Sequence, residues 1–267
     1  SSPAALLGVR TLPVNVQKNI QDRRLALFNS QSVRGAFSVE SGRAGYAYML
    51  SSDGWAVVPR VLSLDESYVG FDSLGASSTV RRVVIDAVFG ISYVQFTDTG
   101  HRVLPLHNSS DVWDVNVFSG SMFTAVDAPA FDAVPGPETL ASFVSPLSSL
   151  AKKDVLFSGD GELFGIVNEK GRVVSVRVLS YGLQAVLSGK IPVYTHADAQ
   201  CESADGFLPS RDGAGSVRTS ACVVFSDPLR ALRSGDVIFS VNGKTWSREA
   251  AEDALFGGIA TINFYRD

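Results

Sequence analysis

The sequence predicts a mostly β protein, and three observations support this class. Short runs rich in Val, Ile, Phe and Tyr, about four to eight residues each, recur along the 267-residue chain. Gly, Ser, Asp and Asn separate the runs, as is typical of turns. Several runs alternate apolar with polar residues, and helical periodicity is scarce. We therefore expect many short antiparallel strands that form barrels or sandwiches.

Each run is interpreted as one strand, because its length and its β-branched and aromatic content suit a pleated, half-buried surface. In chain order the runs are GYAYML (45–50), GWAVV (54–58), RRVVIDAV (81–88), ISYVQF (91–96), DVNVFSG (114–120), ELFGIV (162–167) and RVVSVRVL (172–179).

Two other stretches have a different pattern. Residues 15–28, NVQKNIQDRRLALF, predict a lead-in helix. Residues 139–153 are ambiguous, since Pro146 would break the interior of a helix.

The C-terminal part of the chain has its own arrangement. GDVIFSVNG (235–243) predicts a strand that turns at Asn242-Gly243, because this pair supplies the positive φ angles of a tight hairpin. SREAAEDALF (247–256) predicts a helix with Ser247 as its N-cap. ATINFYRD (260–267) predicts a closing strand.

Composition excludes several classes of function. The net charge of −4 gives a nucleic-acid role little electrostatic support, and no apolar run approaches the roughly 20 residues of a membrane span. Cys201 and Cys222 lack metal-site spacing, so we predict no metal and no cofactor. Whether they pair is left open, because sequence separation does not give the distance between them. The chain begins at Ser1, which is compatible with a removed upstream signal or anchor.

The stretch SDPLRALRSGDVIFSVNGK (226–244) resembles a PDZ domain of the kind fused to HtrA/DegP-family serine proteases. Gly235-Asp236-Val237-Ile238 and Val241-Asn242-Gly243 stand at the spacing of that family. The resemblance implies a small PDZ-like α+β domain over residues 189–267 and a protein or peptide partner, such as a C-terminal or extended segment.

The stretch GYAYMLSSDGWAVVPRVLS (45–63) resembles the first barrel of the same proteases. The resemblance implies a trypsin-like double β-barrel over residues 31–188, divided into 31–120 and 121–188, after a lead-in segment 1–30. It places the catalytic histidine at Val61, or at Arg60 if one residue is deleted. Neither side chain accepts a proton near neutral pH.

The other two catalytic positions are also replaced. The run after Asp86 places the triad aspartate at Gly90. LFSGDGELFGIVNEKGRVVSV (156–176) resembles the nucleophile segment and places the serine at Gly159, while shifted alignments give Asp160, Glu162 or Ser158. The resemblance therefore implies a catalytically inactive pseudoprotease that binds or regulates proteins outside the cytoplasm, attached to a membrane only if a removed N-terminal anchor held it there.

The resemblance also implies a peptide groove in the PDZ-like domain. Tyr194, Thr195 and His196 would occupy the loop that holds a peptide carboxylate, although the glycine usual there is missing. Ala251, Ala254 and Leu255 would line the groove from the predicted helix, or else pack inward.

Two alternatives remain. The first is an active serine hydrolase with a displaced triad, which would join Ser158 to His101 or His107, with Asp86 or Asp111 behind the imidazole. The second is an all-β structural or adhesive protein.

Overall fold

The computed structural model divides the chain into two compact units. The first comprises Ser1–Phe131 and Leu147–Ile191, and the second Asp132–Pro146 and Pro192–Asp267. The prediction of a mostly β protein is confirmed. The residues that the structure describes are 10–31, 42–107, 117–126, 142–144, 152–169, 171–194, 200–209, 216–226, 232–247, 250, 253–254, 256 and 260–266.

The first unit contains a closed antiparallel barrel with the strand order β1-β2-β3-β6-β5-β4. Inward-facing apolar side chains such as Leu27, Met49 and Phe96 are fully buried and fill it. Its strands are β1 (Arg24–Asn29), β2 (Arg43–Met49), β3 (Trp55–Val58), β4 (Tyr68–Phe71), β5 (Ser77–Asp86) and β6 (Ile91–Phe96).

The second sheet of this unit has the order β8-β7-β10-β11-β12. Its central strands, β10 and β11, are buried along their whole length, as expected for the middle of a packed sheet. The strands are β7 (Val117–Ser119), β8 (Ala125–Val126), β10 (Val155–Ser158), β11 (Leu163–Val167) and β12 (Arg172–Ser175); β9 is Ser142–Val144.

The helix predicted over residues 15–28 is shorter than expected. Helix α1 covers Val14–Gln21, and β1 already begins at Arg24. The apolar residues of RLALF alternate in burial along β1, so the second half of the predicted helix pairs into the barrel. In α1, Ile20 is buried, and Val16 lies against Gly161 of the β10–β11 turn.

A second helix corrects the strand predicted over residues 172–179. Strand β12 ends at Ser175, and helix α2 covers Val176–Leu187. Ser175 is the N-cap, and its side chain accepts the N–H of Val178. Val178, Gly182 and Val186 are buried at helical spacing, which is the signal that the strand interpretation missed. Neither described helix is long and apolar enough to cross a membrane.

The second unit is built on one antiparallel sheet with the order β13-β14-β15-β16, in which β17 also pairs with β15. Asn242 and Gly243 have φ angles of 51° and 77°, which confirms the predicted turn between β15 and β16. The Ser247 hydroxyl accepts the N–H of Ala250, as expected of an N-cap. The strands are β13 (Gln200–Pro209), β14 (Ser216–Ser226), β15 (Val237–Val241), β16 (Lys244–Thr245) and β17 (Ile262–Tyr265).

Helix α2 contacts the first barrel where Gly182 meets the fully buried ring of Tyr93. A Cβ atom at residue 182 would overlap the phenol oxygen of Tyr93. We predict that Gly182→Ala lowers the free energy of unfolding by about 1–3 kcal/mol, because a closely packed core cannot absorb the added methyl group. At an exposed helix position the same change would instead stabilise by about 0.5–1 kcal/mol.

Urea denaturation followed by circular dichroism measures this change. The control is Gln184→Ala on the exposed face of α2, which should alter stability by no more than about 0.5 kcal/mol. A Gly182→Ala protein as stable as the parent would show that the helix does not pack on Tyr93 in this way.

Candidate functional site

Two of the predicted triad-equivalent positions lie together at one end of the first barrel. Val58 at the end of β3 pairs with Ser92 near the start of β6. Arg60 and Gly90 lie two residues beyond this pair, so the antiparallel register places them at the same edge. The N–H of Leu62 donates to the Ser92 hydroxyl at 2.9 Å and fixes the loop that carries Arg60.

Arg60 belongs to a charged cluster with the second sheet. Its Nε lies 3.7 Å from Glu169 Oε1, and Lys153 Nζ lies 3.2 Å from the same oxygen. The Arg60 and Glu169 side chains are 34% and 38% exposed, so water screens the ion pair and its contribution to stability is small. The cluster places two cationic donors, Arg60 and Lys153, around one carboxylate acceptor, Glu169.

Gly90 provides no side chain to this region. It has a φ of +67° and closes the turn after β5 by donating its N–H to the Asp86 carbonyl. A Cβ at residue 90 would lie 3.7 Å from Nδ2 of Asn168, which itself donates to the Phe89 carbonyl at 2.7 Å. A buried amide therefore lies beside Gly90, and it precedes Glu169 in the chain.

The structure does not bring Gly159 to the same place. Gly159 lies in the tight turn between β10 and β11, where the Ser158 N–H donates to the Glu162 carbonyl. Asn168 follows the other end of β11, which is about 17 Å long for its five residues. Lys153 precedes β10 and has a φ of 63°. On the β10 side of the hairpin, Lys153 is the residue that forms an ion pair with Glu169, as Arg60 also does.

The glycines of this hairpin permit another alignment of the nucleophile segment. If Gly161 and Gly165 take the places of the two glycines in the family pattern G-x-V-I-G-I, counting back along that pattern places the serine at Lys152.

The displaced triad of the alternative hydrolase is not assembled among the described residues. His107 Nδ1 lies 2.6 Å from Glu162 Oε2, but its Nε2 is buried and has no hydrogen-bond partner within the described part of the chain. The Ser158 hydroxyl instead accepts the N–H of Glu162 at 3.2 Å. His101 Nε2 lies 3.1 Å from the Asp98 carbonyl, and Asp111 lies outside the described residues.

A buried acid lies next to the charged cluster. Asp154 follows Lys153, and its Oδ2 accepts the hydroxyls of Ser119 at 2.5 Å and Ser121 at 3.0 Å. Burial raises the pKa of Tyr48 to about 12, Arg24 opposes this shift, and Asp154 adds to it. These contacts give Asp154 a structural role, since both of its oxygens already have donors.

The predicted peptide groove of the second unit is only partly described. Tyr194 is buried, pairs with Phe256 through a single bridge and packs its ring on the Phe256 ring at 6.4 Å. Ala254 packs inward with Trp246, which agrees with the inward alternative for that residue. The other predicted groove residues, Thr195, His196, Ala251 and Leu255, lie outside the described residues.

Strand β13 lies at the end of its sheet, where it pairs with β14. Cys222 on β14 is buried and disulfide-bonded, and Cys201 on β13 is the only other cysteine in the chain. The register places Cys201 opposite Val224, so the two cysteines lie diagonally across the β13–β14 ladder.

A closed six-stranded barrel, a second β-sheet and a small C-terminal sheet give the chain the trypsin-like fold seen in HtrA-type proteases. The HtrA-type protease AlgW with a decapeptide matches with a TM-score of 0.53 and 11% identity, covering 94% of this chain and 96% of that chain. A substituted AlgW with a tripeptide matches with a TM-score of 0.53 and 12% identity, covering 94% and 92%. No protein-family model and no curated protein sequence matches the chain.

An ion pair in the second unit makes its stability depend on pH. The Arg266 guanidinium donates to both oxygens of Asp236, at 2.7 and 2.5 Å, and lowers the pKa of this carboxyl from 3.8 to about 2. Asp236 therefore stabilises the unit above pH 4, and we predict that this contribution is lost as the pH falls from about 4 to about 2.

NMR detection of the Asp236 carboxyl carbon and of the buried Trp246 indole follows both titration and unfolding. Arg266→Gln should raise the pKa of Asp236 towards 3.8 and flatten the acid dependence of stability. Lys244→Gln removes an exposed pair with Asp253 and serves as the control, which should leave the acid transition unchanged. If Arg266→Gln shows the same acid transition as the parent protein, the Asp236–Arg266 pair is not the cause of this pH dependence.

Proposed function

We propose that this chain is a catalytically inactive HtrA-like pseudoprotease that acts as a protein- or peptide-binding scaffold or regulator. The observation that carries the proposal is the charged cluster Arg60–Glu169–Lys153 beside Gly90. At the positions where the resemblance expects a base, an acid and a nucleophile, the chain has Arg60 or Val61, Gly90, and Gly159 or, counted back from the glycines of the hairpin, Lys152. Acyl transfer by a hydroxyl requires a neighbouring base and a group that orients that base.

The state of the described histidines also supports the proposal. The His107–Glu162 pair resembles the acid–imidazole half of a triad, but no hydroxyl of the residues that the structure describes forms a hydrogen bond with the buried Nε2. Ser158 is only 3% exposed, so a substrate carbonyl has little access to its oxygen. A serine in this environment is a weak nucleophile.

We predict that the protein neither cleaves unfolded casein nor reacts with a fluorophosphonate probe at Ser158. Mass spectrometry of the labelled protein and gel analysis of casein measure both results, with an HtrA-type protease as the positive control. Ser158→Ala should behave like the parent chain. Casein turnover that disappears in Ser158→Ala, or a phosphonate adduct on Ser158, would establish an active hydrolase instead.

For the second unit we propose a PDZ-like mode of binding, in which an extended peptide adds as a strand to the edge of β13 that pairs with no described strand. Strands at the end of a sheet present unpaired N–H and C=O groups, and these provide affinity for an added strand. Tyr194 packs on Phe256, and the loop before β13 lacks the usual glycine, so we expect little contribution from a peptide carboxylate.

We predict that peptides selected from an array bind about as well with amidated C-termini as with free ones. Hydrogen exchange monitored by NMR should show new protection at amides of residues 201–208. Strand β17 is the matched control, because it is the other terminal strand of the same sheet and pairs with β15 alone among the described strands. Protection confined to residues 262–265, or binding that requires a free carboxylate, would contradict the proposed mode.

We further propose an extracytoplasmic location. The disulfide at Cys222 supports this, since disulfides persist in oxidising compartments and are rare in reducing ones.

A further inference from the structure

A cavity of about 510 Å³ opens at the same end of the first barrel that carries Arg60. Its floor is formed by Ala44, Leu62 and Tyr68, which are buried and belong to the barrel core. Its volume falls within the range of sites that bind small molecules or single side chains. The floor is anchored by packing, so the shape of the cavity is set before any ligand arrives.

The polar groups around this cavity carry net positive charge. Arg43 and Arg60 line it, and Glu66 is its one described carboxylate. Arg43 is held over the Tyr46 ring at 4.5 Å. Glu66 accepts the Tyr68 hydroxyl at 2.8 Å, which satisfies part of its hydrogen-bonding capacity.

Arg60 lines the cavity, and its side chain is 34% exposed. Its Nε is buried on the side of Glu169, at 3.7 Å, without a hydrogen-bond partner among the described residues, so a ligand in the cavity would meet the outer nitrogens of the guanidinium. The closer contact of Glu169 is with Lys153 at 3.2 Å. A guanidinium carries five donors in a planar fork, and this fork matches a carboxylate.

We propose that this cavity binds a carboxylate monoanion, such as an aspartate or glutamate side chain of a partner protein, through Arg60. The site lies outside the peptide mode proposed for the second unit, so either can fail without the other. Attraction from Arg43 and Arg60 and repulsion from Glu66 and Glu169 both grow with the charge of the ligand, so the lining selects for an anion and not for its valence. Phosphate is therefore included in the test as the competing anion.

The experiment titrates the full chain with N-acetyl-aspartate amide, and separately with N-acetyl-asparagine amide and inorganic phosphate. NMR of the Arg60 Nε–H and of the Leu62 and Ser63 amides localises the binding. We expect saturable shifts with the aspartate compound and none with the asparagine compound. Arg60→Gln should weaken aspartate binding about tenfold or more, because a charge-assisted hydrogen bond is lost.

Two further variants test the proposal. Arg102→Gln is the control for Arg60→Gln, because Arg102 also lies 3.7 Å from a carboxylate, that of Asp22. This control variant should leave the affinity for the aspartate compound unchanged. Glu66→Gln keeps an acceptor for the Tyr68 hydroxyl and removes a rim charge, so it should tighten aspartate binding. Equal shifts with aspartate and asparagine, equal losses in the two arginine variants, or phosphate binding tighter than aspartate would each overturn the proposal.

Discussion

The pairing of β3 with β6 is the contact on which the geometry of the candidate site depends. Both strands are buried along their whole length, so a slip of one residue would exchange the side chains packed inside the barrel with those packed on its other face. The β3–β6 register and the hydrogen bond between Leu62 and Ser92 then place Arg60 and Gly90 at one end of the first barrel. The ion pair with Glu169 is half-exposed and contributes little, so core packing rather than surface charge holds this arrangement.

Much of the fold could be predicted from the sequence because strand composition and turn chemistry are local signals. The runs at 54–58 and 91–96 became β3 and β6, and Asn242-Gly243 formed its turn. Helix α2 was missed because its first residues, Val176–Leu179, continue the β-branched run of β12 without a break. The N-cap at Ser175 decides between the two structures, and composition does not reveal it.

The site was less predictable, because it depends on pairs of residues distant in the chain. Arg60 meets Glu169 only after the barrel and the second sheet have formed, and no local pattern encodes that contact. Gly159 was predicted beside Arg60 since glycines and acids resembled a nucleophile loop, whereas the strands on either side make that stretch a hairpin turn. Lys153 at the start of β10, and not Gly159 in the turn, therefore lies beside Glu169.

Arginine and a catalytic base differ in the chemistry that they can perform at this position. An imidazole acts by exchanging a proton near neutral pH, whereas a guanidinium keeps its proton and acts only through charge and donated hydrogen bonds. On the functions proposed above, an inactive site and a carboxylate-binding Arg60 would both follow from the same replacement of a base by a guanidinium. Neither requires a change in the register of β3 and β6.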